Sequence, residues 1–306
     1  MILCCGEALI DMIPTALPDG TPALVPHAGG AALNLAIALG RLGAPAGLFT
    51  GLSRDLFGRQ LETALRASHV DPTLAIRSDR PTTLAFVEVV NGSARYTFYD
   101  ENTAGRMLSK ADLPDLPDAV STLTFGGISL IHAPAAETYA ALARREAGRR
   151  CIVVDPNIRP GFVTDEPAYR ARLSGLLAQA DIVKVSDEDL DWLLPGAQDG
   201  IADLLAQGPA LVIVTKGDKG ALAAHRAGWQ VAVAAPRVPV VDTVGAGDTF
   251  LAGTLGRAHE SGLLSRTALN QVTPDAMTEI LAFATQAAAV TVARAGANPP
   301  WRHELL

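Results

Sequence analysis

The segment Asp242-Thr243-Val244-Gly245-Ala246-Gly247-Asp248-Thr249-Phe250 gathers two glycines and two acids at the head of an apolar run. Residues without a Cβ let a backbone turn tightly and offer successive N–H groups to an anion at the positive end of a helix. A carboxylate inside such a site repels its ligand unless it removes a proton. Asp248 therefore reads as a general base, and the amides of Gly245, Ala246 and Gly247 as a phosphate cradle. An isolated G-A-G-D would be a capped turn. Here a strand-like stretch at 236–241 precedes it, which predicts strand, glycine loop and helix, the layout in which open α/β sheets place ligands.

Other apolar runs also end in polar residues. Asp155-Pro156-Asn157-Ile158-Arg159-Pro160 follows one, so its polar side chains should project at the carboxyl edge of a sheet, with Arg159 as a phosphate clamp. Ser186-Asp187-Glu188-Asp189 follows another. It reads either as hard oxygen ligands for Mg²⁺, with Glu188 and Asp189 the candidates, or as a solvated helix start capped by Ser186. Thr215-Lys216-Gly217-Asp218-Lys219-Gly220 ends a third, where Gly217 and Gly220 suit either a close nucleotide approach or a plain β-turn. A P-loop is absent, which excludes the commonest alternative cradle.

Elements must hold these groups in place. Short β-branched runs at 2–5, 46–50, 122–125, 151–155, 182–185 and 211–215 alternate with alanine- and leucine-rich stretches at 31–42, 56–68, 136–147, 169–180, 247–259 and 274–293. That is the pattern of a mostly parallel sheet with crossover helices. Two segments break it: the Pro-rich 11–27, and 82–99, whose two strand-like runs flank an Asn91-Gly92 hairpin turn. They are expected to pair as one small sheet.

At 306 residues and 49% hydrophobic composition the chain can bury a large core, and a net charge of −7 without a Lys/Arg run excludes nucleic acid or an anionic membrane as partner. Cys4, Cys5 and Cys151 sit in apolar runs without metal-ligand spacing and read as core thiols of a reducing cytoplasm. The amino-terminal run lacks basic residues and meets Glu7 and Asp11, so no secretory leader is expected, and no apolar run approaches a bilayer span. Six scattered histidines suggest no zinc site, and His27 reads as a lid-edge surface residue.

D-T-x-G-A-G-D at 242–248 resembles the carboxyl-terminal signature of the ribokinase-like (PfkB) sugar kinases, and Gly29-Gly30-Ala31-Ala32-Leu33-Asn34 resembles their amino-terminal one. The resemblance implies a three-layer α/β/α core (1–10, 28–73 and 102–306) with a β-sheet lid (11–27 and 74–101) whose exposed face pairs in a homodimer. It implies transfer of the γ-phosphoryl of Mg·ATP to a sugar hydroxymethyl group. Asp11, Gly29, Gly30 and Asn34 would meet the sugar, with Phe98 and Asn157 beside it. Thr215, Gly217, Gly220, Gly247, Ala297 and Asn298 would line the nucleotide, and Asp242 and Thr243 would serve a monovalent cation such as K⁺.

Ser186 and Asp189 depart from the family's N-x-x-E. The D-x-N-x-R step is similar to that of the fructokinase and ketodeoxygluconate kinase branches. The latter carry Tyr-Tyr-Arg on the second lid strand, where this chain has Phe98-Tyr99-Asp100. Asp100 would repel an acid, so a neutral sugar, fructose, is favoured. Arg95 keeps the keto-acid alternative open. Ribose or a nucleoside as substrate and a non-catalytic sugar sensor on the same fold also stay open.

Overall fold

The computed structural model describes residues 1–90 and 93–305, with side chains except at 88–90 and 93–95. Its frame follows from strands that are apolar on both faces. Every residue of β1 (Ile2–Cys5) is buried, and strand alternation sends Ile2 and Cys4 into one core and Leu3 and Cys5 into the other. The later strands are β2 (Leu9–Ala16), β3 (Pro22–Gly29), β4 (Ala46–Phe49), β5 (Gly51–Ser53), β6 (Val70–Asp71), β7 (Ile76–Ser78), β8 (Thr83–Val90) and β9 (Ser93–Tyr99). They continue with β10 (Thr122–Gly126), β11 (Cys151–Asp155), β12 (Ile182–Ser186), β13 (Leu211–Thr215), β14 (Ala221–His225) and β15 (Gln230–Val233). The helices are α1 (Ala31–Arg41), α2 (Leu56–Ala67), α3 (Ala135–Glu146), α4 (Glu166–Leu177), α5 (Asp187–Leu193), α6 (Gly200–Gln207), α7 (Ala246–Glu260), α8 (Arg266–Leu269) and α9 (Pro274–Val292).

Nine strands form the central sheet in the order β15, β14, β13, β12, β11, β10, β1, β4, β6. Pairing is parallel from β6 to β13 and antiparallel at β14 and β15. Helices α1, α2, α7 and α9 contribute to the core on one face, and α3, α4 and α6 to the core on the other. The winding reverses between β1 and β10, so a crevice opens beyond their carboxyl ends. Helix α7 is buried almost all round, wedged beside α1 and α9, and Gly253 permits the close approach: a Cβ there would lie 2.8 Å from the Ala284 backbone. Among the described residues no helix is long and apolar enough to cross a membrane.

A second sheet of four strands, β3-β2-β8-β9, stands over the crevice. Its register puts Asp11, Ala85 and Phe98 on one face and Met12, Phe86 and Tyr99 on the other. This sheet takes in residues 9–29 and 83–99, wider at its first limb than the expected 11–27. The second limb is narrower than 74–101, because β7 leaves it to pair with β5. The expected Asn91-Gly92 turn lies outside the described residues. The strand expected at 236–241 is a loop in which Val240 and Val241 are exposed. Pro236 and Pro239 remove two ladder donors from it, and the last strand, β15, ends before it.

Asp55 fastens lid to core. It caps α2 by accepting from Gly58 N–H at 2.7 Å, and it accepts from the Thr82 N–H and hydroxyl at 2.8 and 2.7 Å. Asp55→Ala should cost about 1–2 kcal/mol. Urea denaturation followed by circular dichroism checks this; an unchanged midpoint would show that the link carries no stability.

Candidate active site

Two glycine-led helix starts meet at the cleft floor. Gly30, the residue before α1, has φ of 101°, and Gly245, the residue before α7, has φ of 76°, conformations that a side chain would strain. A Cβ on Gly245 would also lie 2.7 Å from the Ala297 methyl. Because α1 and α7 lie side by side, Asn34 Nδ2 reaches Asp248 Oδ2 and donates at 3.0 Å across 214 residues of sequence. Asp248 is only 8% exposed. Burial pushes its carboxyl up to about 7, Asp155 and Glu7 add to the rise, and Asn34 and Lys184 oppose it.

The glycine loop is clamped from behind. Asp242 accepts from Val244 N–H at 3.0 Å and from Gly296 N–H at 2.9 Å, so both carboxylate oxygens hold backbone while Thr243 faces the cleft. Ala246 N–H is turned back onto Thr243 O at 3.3 Å, which takes it out of the expected cradle. The amides of Gly245, Gly247 and Asp248 make no hydrogen bond among the described residues and are available to an anion.

Lys184 was not singled out in the sequence, although a lone lysine inside the apolar run of β12 signals a buried partner. Its Nζ donates to Asp155 Oδ2 at 2.8 Å, both side chains being buried, and a Cβ on Gly247 would lie 3.2 Å from that ammonium. Burial alone would lower the Lys184 pKa, but Asp155 reverses this and holds it above the usual lysine range, with Asp189 and Asp248 adding to the rise. Asp155 Oδ1 is buried without a partner among the described residues. Glu7 was likewise missed; its carboxylate accepts from Ala31 N–H at 3.0 Å and Ser129 N–H at 3.2 Å, joining α1 to the turn after β10.

Asp11 enters from the lid, in the space that Gly29 leaves by lacking a side chain. Burial, then the nearby Glu7, raises its carboxyl to about 6. A cavity of about 250 Å³ joins these groups: it is lined by Asp11, Gly30, Asn34, Asn157, Lys184 and Asp248, and by Tyr96, Phe98, Arg159, Gly245 and Gly247 among others. Asn157 has φ of 45°, and Arg159 is exposed, its guanidinium donating to Ile158 O at 3.0 Å.

Other expected residues lie elsewhere. Thr215, Gly217 and Gly220 stand at the end of β13, outside this cavity, and Gly220 is required by the backbone of Val233, against which a Cβ would collide. Asn298 is exposed and accepts from Arg41 Nη1 at 2.8 Å. Asp189 is buried, accepting from Ile158 N–H at 2.8 Å and Ser186 N–H at 3.1 Å, so it fastens loops with both oxygens; Glu188 is exposed beside it. Among the described residues no group of three or more His, Cys, Asp or Glu is placed to hold a metal. Asp100 does not line the cleft. It pairs with Arg106, both oxygens accepting at 3.0 Å, so the expected repulsion of an acid substrate by Asp100 does not arise in the cleft. The side chain of Arg95 lies outside the described residues, and His27 is exposed at the lid edge.

Residues 1–304 match the model of the pfkB family of carbohydrate kinases. The chain belongs to that family. A fructokinase of Rhizobium leguminosarum bv. trifolii is 53% identical over 268 residues, covering 87% of this chain and 82% of that protein. The crystal structure of fructokinase with bound ATP from Xylella fastidiosa superposes with a TM-score of 0.90 at 30% identity, over 99% of this chain and 96% of that one. Fructokinase from Vibrio cholerae O395, solved in a fructose, ADP and calcium ion bound form, gives 0.84 at 25% identity over 97% and 94%. For this pfkB kinase the fold of the sequence reading, a ribokinase-like α/β core with a mostly parallel sheet and a separate small sheet, stands.

As the base expected from the sequence, Asp248 would have to be ionised, and a carboxyl near 7 would then tie rate to pH. kcat/KM should fall roughly tenfold per unit below about pH 7, and Asn34→Ala, which removes a hydrogen bond to the ionised carboxylate, should move that limb to higher pH. Rate profiles of both proteins test it; coincident limbs would dismiss the Asn34 coupling.

Proposed function

We propose that this pfkB kinase transfers the γ-phosphoryl of ATP to a hydroxymethyl group of fructose, with Asp248 accepting the hydroxyl proton. The observation that carries the reading is the convergence of Asp248, the free amides of the glycine loop and the lid carboxylate Asp11 in one cavity. The choice of fructose rests on the 53% identical fructokinase and on a cleft whose carboxylates disfavour an acid substrate.

Each group then has a task. Asp11, Asn34 and the backbone at Gly30 orient the polyol through directional hydrogen bonds, and Phe98 closes its apolar side. The amides of Gly245, Gly247 and Asp248 stabilise charge as it develops on the transferred group, with Lys184 below them and Arg159 at the mouth. The lid excludes water. ATP would lie along the ends of β12 and β13 toward Thr215, Gly217, Ala297 and Asn298.

Bound Mg²⁺ would neutralise phosphate charge. With Asp189 engaged by backbone, Glu188 is the free carboxylate of that segment, and a metal held chiefly by ATP oxygens and water suits an octahedral ion better than a protein cage. A K⁺ site at Asp242 and Thr243 would use the carbonyls around the clamp. We place the enzyme in the cytoplasm, in line with three buried, unpaired cysteines.

We also propose a homodimer through the outer lid face, where Leu24 and Tyr99 are 43% and 61% exposed beside Met12 and Phe86. Sedimentation should find a dimer, which Tyr99→Lys shifts toward monomer; a monomeric wild type would refute it.

Coupled ADP release with fructose, ribose, glucose, tagatose, 2-keto-3-deoxygluconate, adenosine and inosine tests the substrate. Fructose should give the highest kcat/KM. Asp248→Asn should lower kcat by about 10²–10⁴ with fructose and ATP binding retained. Preference for the keto acid would overturn the choice of sugar, and near wild-type turnover in the variant would remove Asp248 as base.

A further inference from the structure

A second cavity, of about 220 Å³, lies on the opposite helix layer between α3 and α4, and shares no residue with the catalytic cleft. Three cations from separate segments line it: Lys110, Arg144 of α3 and Arg172 of α4. Arg172 is anchored by donating through Nη1 to Leu130 O at 2.9 Å and Ile131 O at 3.1 Å, which leaves its other nitrogens without a described partner. Arg144 makes no ion pair among the described residues. The only acid on the wall is Glu137, whose carboxylate is 4.0 Å from Lys110 Nζ, so positive charge exceeds negative by two.

One observation independent of charge points to an occupant. Gly175 sits in α4 where a Cβ would meet nothing within 4 Å. A glycine within a helix costs stability relative to alanine, and no packing reason requires it here; its effect is to keep the cavity open.

We propose that this cavity binds a phosphorylated monosaccharide. The phosphate would lie against Arg144, Arg172 and Lys110, and sugar hydroxyls would donate to Glu137. The class is that of the product of the proposed reaction, which makes the cavity a place where sugar-phosphate level is read away from the cleft.

Calorimetric titration of the whole protein with fructose 6-phosphate and with inorganic phosphate tests this without requiring turnover, so it succeeds or fails separately from the fructokinase reading. Three variants separate the two cavities. Arg144→Glu reverses an exposed charge, Gly175→Leu fills the cavity while favouring the helix, and Asn34→Ala damages the catalytic cleft. Sugar-phosphate binding should survive Asn34→Ala and weaken at least about tenfold in each of the other two. Their kcat and KM without added sugar phosphate should match wild type. Binding abolished by Asn34→Ala and untouched by the other two would return the ligand to the cleft and overturn the proposal, as would the absence of binding. Equal affinity for inorganic phosphate would overturn the sugar part.

Discussion

Taking carboxylates out of water governs the site. Glu7 and Asp248 are buried in the cleft floor and Asp155 behind it, and Lys184 is the buried cation among them. Burying ions is costly unless each finds a counter-charge or a hydrogen bond. Asp155 finds Lys184, Glu7 finds two amides at the ends of separate loops, and Asp248 has only the weak donor of Asn34. The least satisfied carboxylate thus has the proton affinity a base needs near neutrality. The nearby carboxylates of Asp155 and Glu7 raise that affinity further. The architecture around them, from the glycine-led helix starts to the parallel strand ends, keeps these groups a few ångströms apart.

The frame was legible because its strands are apolar on both faces and its helices form long alanine- and leucine-rich runs. Helix α7 begins at Ala246 and α9 at Pro274, within a residue of expectation. The stretch at 236–241 misled because β-branched residues in a loop look like those in a strand, and only the prolines mark the missing donors. Asp248 and Arg159 stand out by type and spacing and Asn34 by a resemblance, and all three line the one cavity. Lys184 and Glu7 could not be given their roles, since those depend on partners at Asp155, Ala31 and Ser129 that only the fold brings close.

Asp100 shows the same limit from the other side. A carboxylate beside an aromatic pair on a lid strand looked like a substrate contact, yet β9 ends at Tyr99, one residue before it, and Arg106, six positions on, takes up the charge. Of the two lid acids singled out in the sequence, Asp11 lines the cleft and Asp100 does not. Asp189 repeats the lesson: its charge is present, but Ile158 and Ser186 N–H groups occupy it.

The packing of α7 between α1 and α9 also sets an order in time. Synthesis proceeds from the amino terminus, and α1 is complete some two hundred residues before α7 emerges. Until then α1 has an apolar flank without its neighbour, and Asn34 has no carboxylate to meet. The nascent chain can lay down β1, β4, β10, β11 and β12 as a sheet, but Asp248 arrives only with the last quarter of the polypeptide. Catalytic competence is therefore a late event in the life of each molecule, and the interval before it is when α1 most needs shielding from other chains.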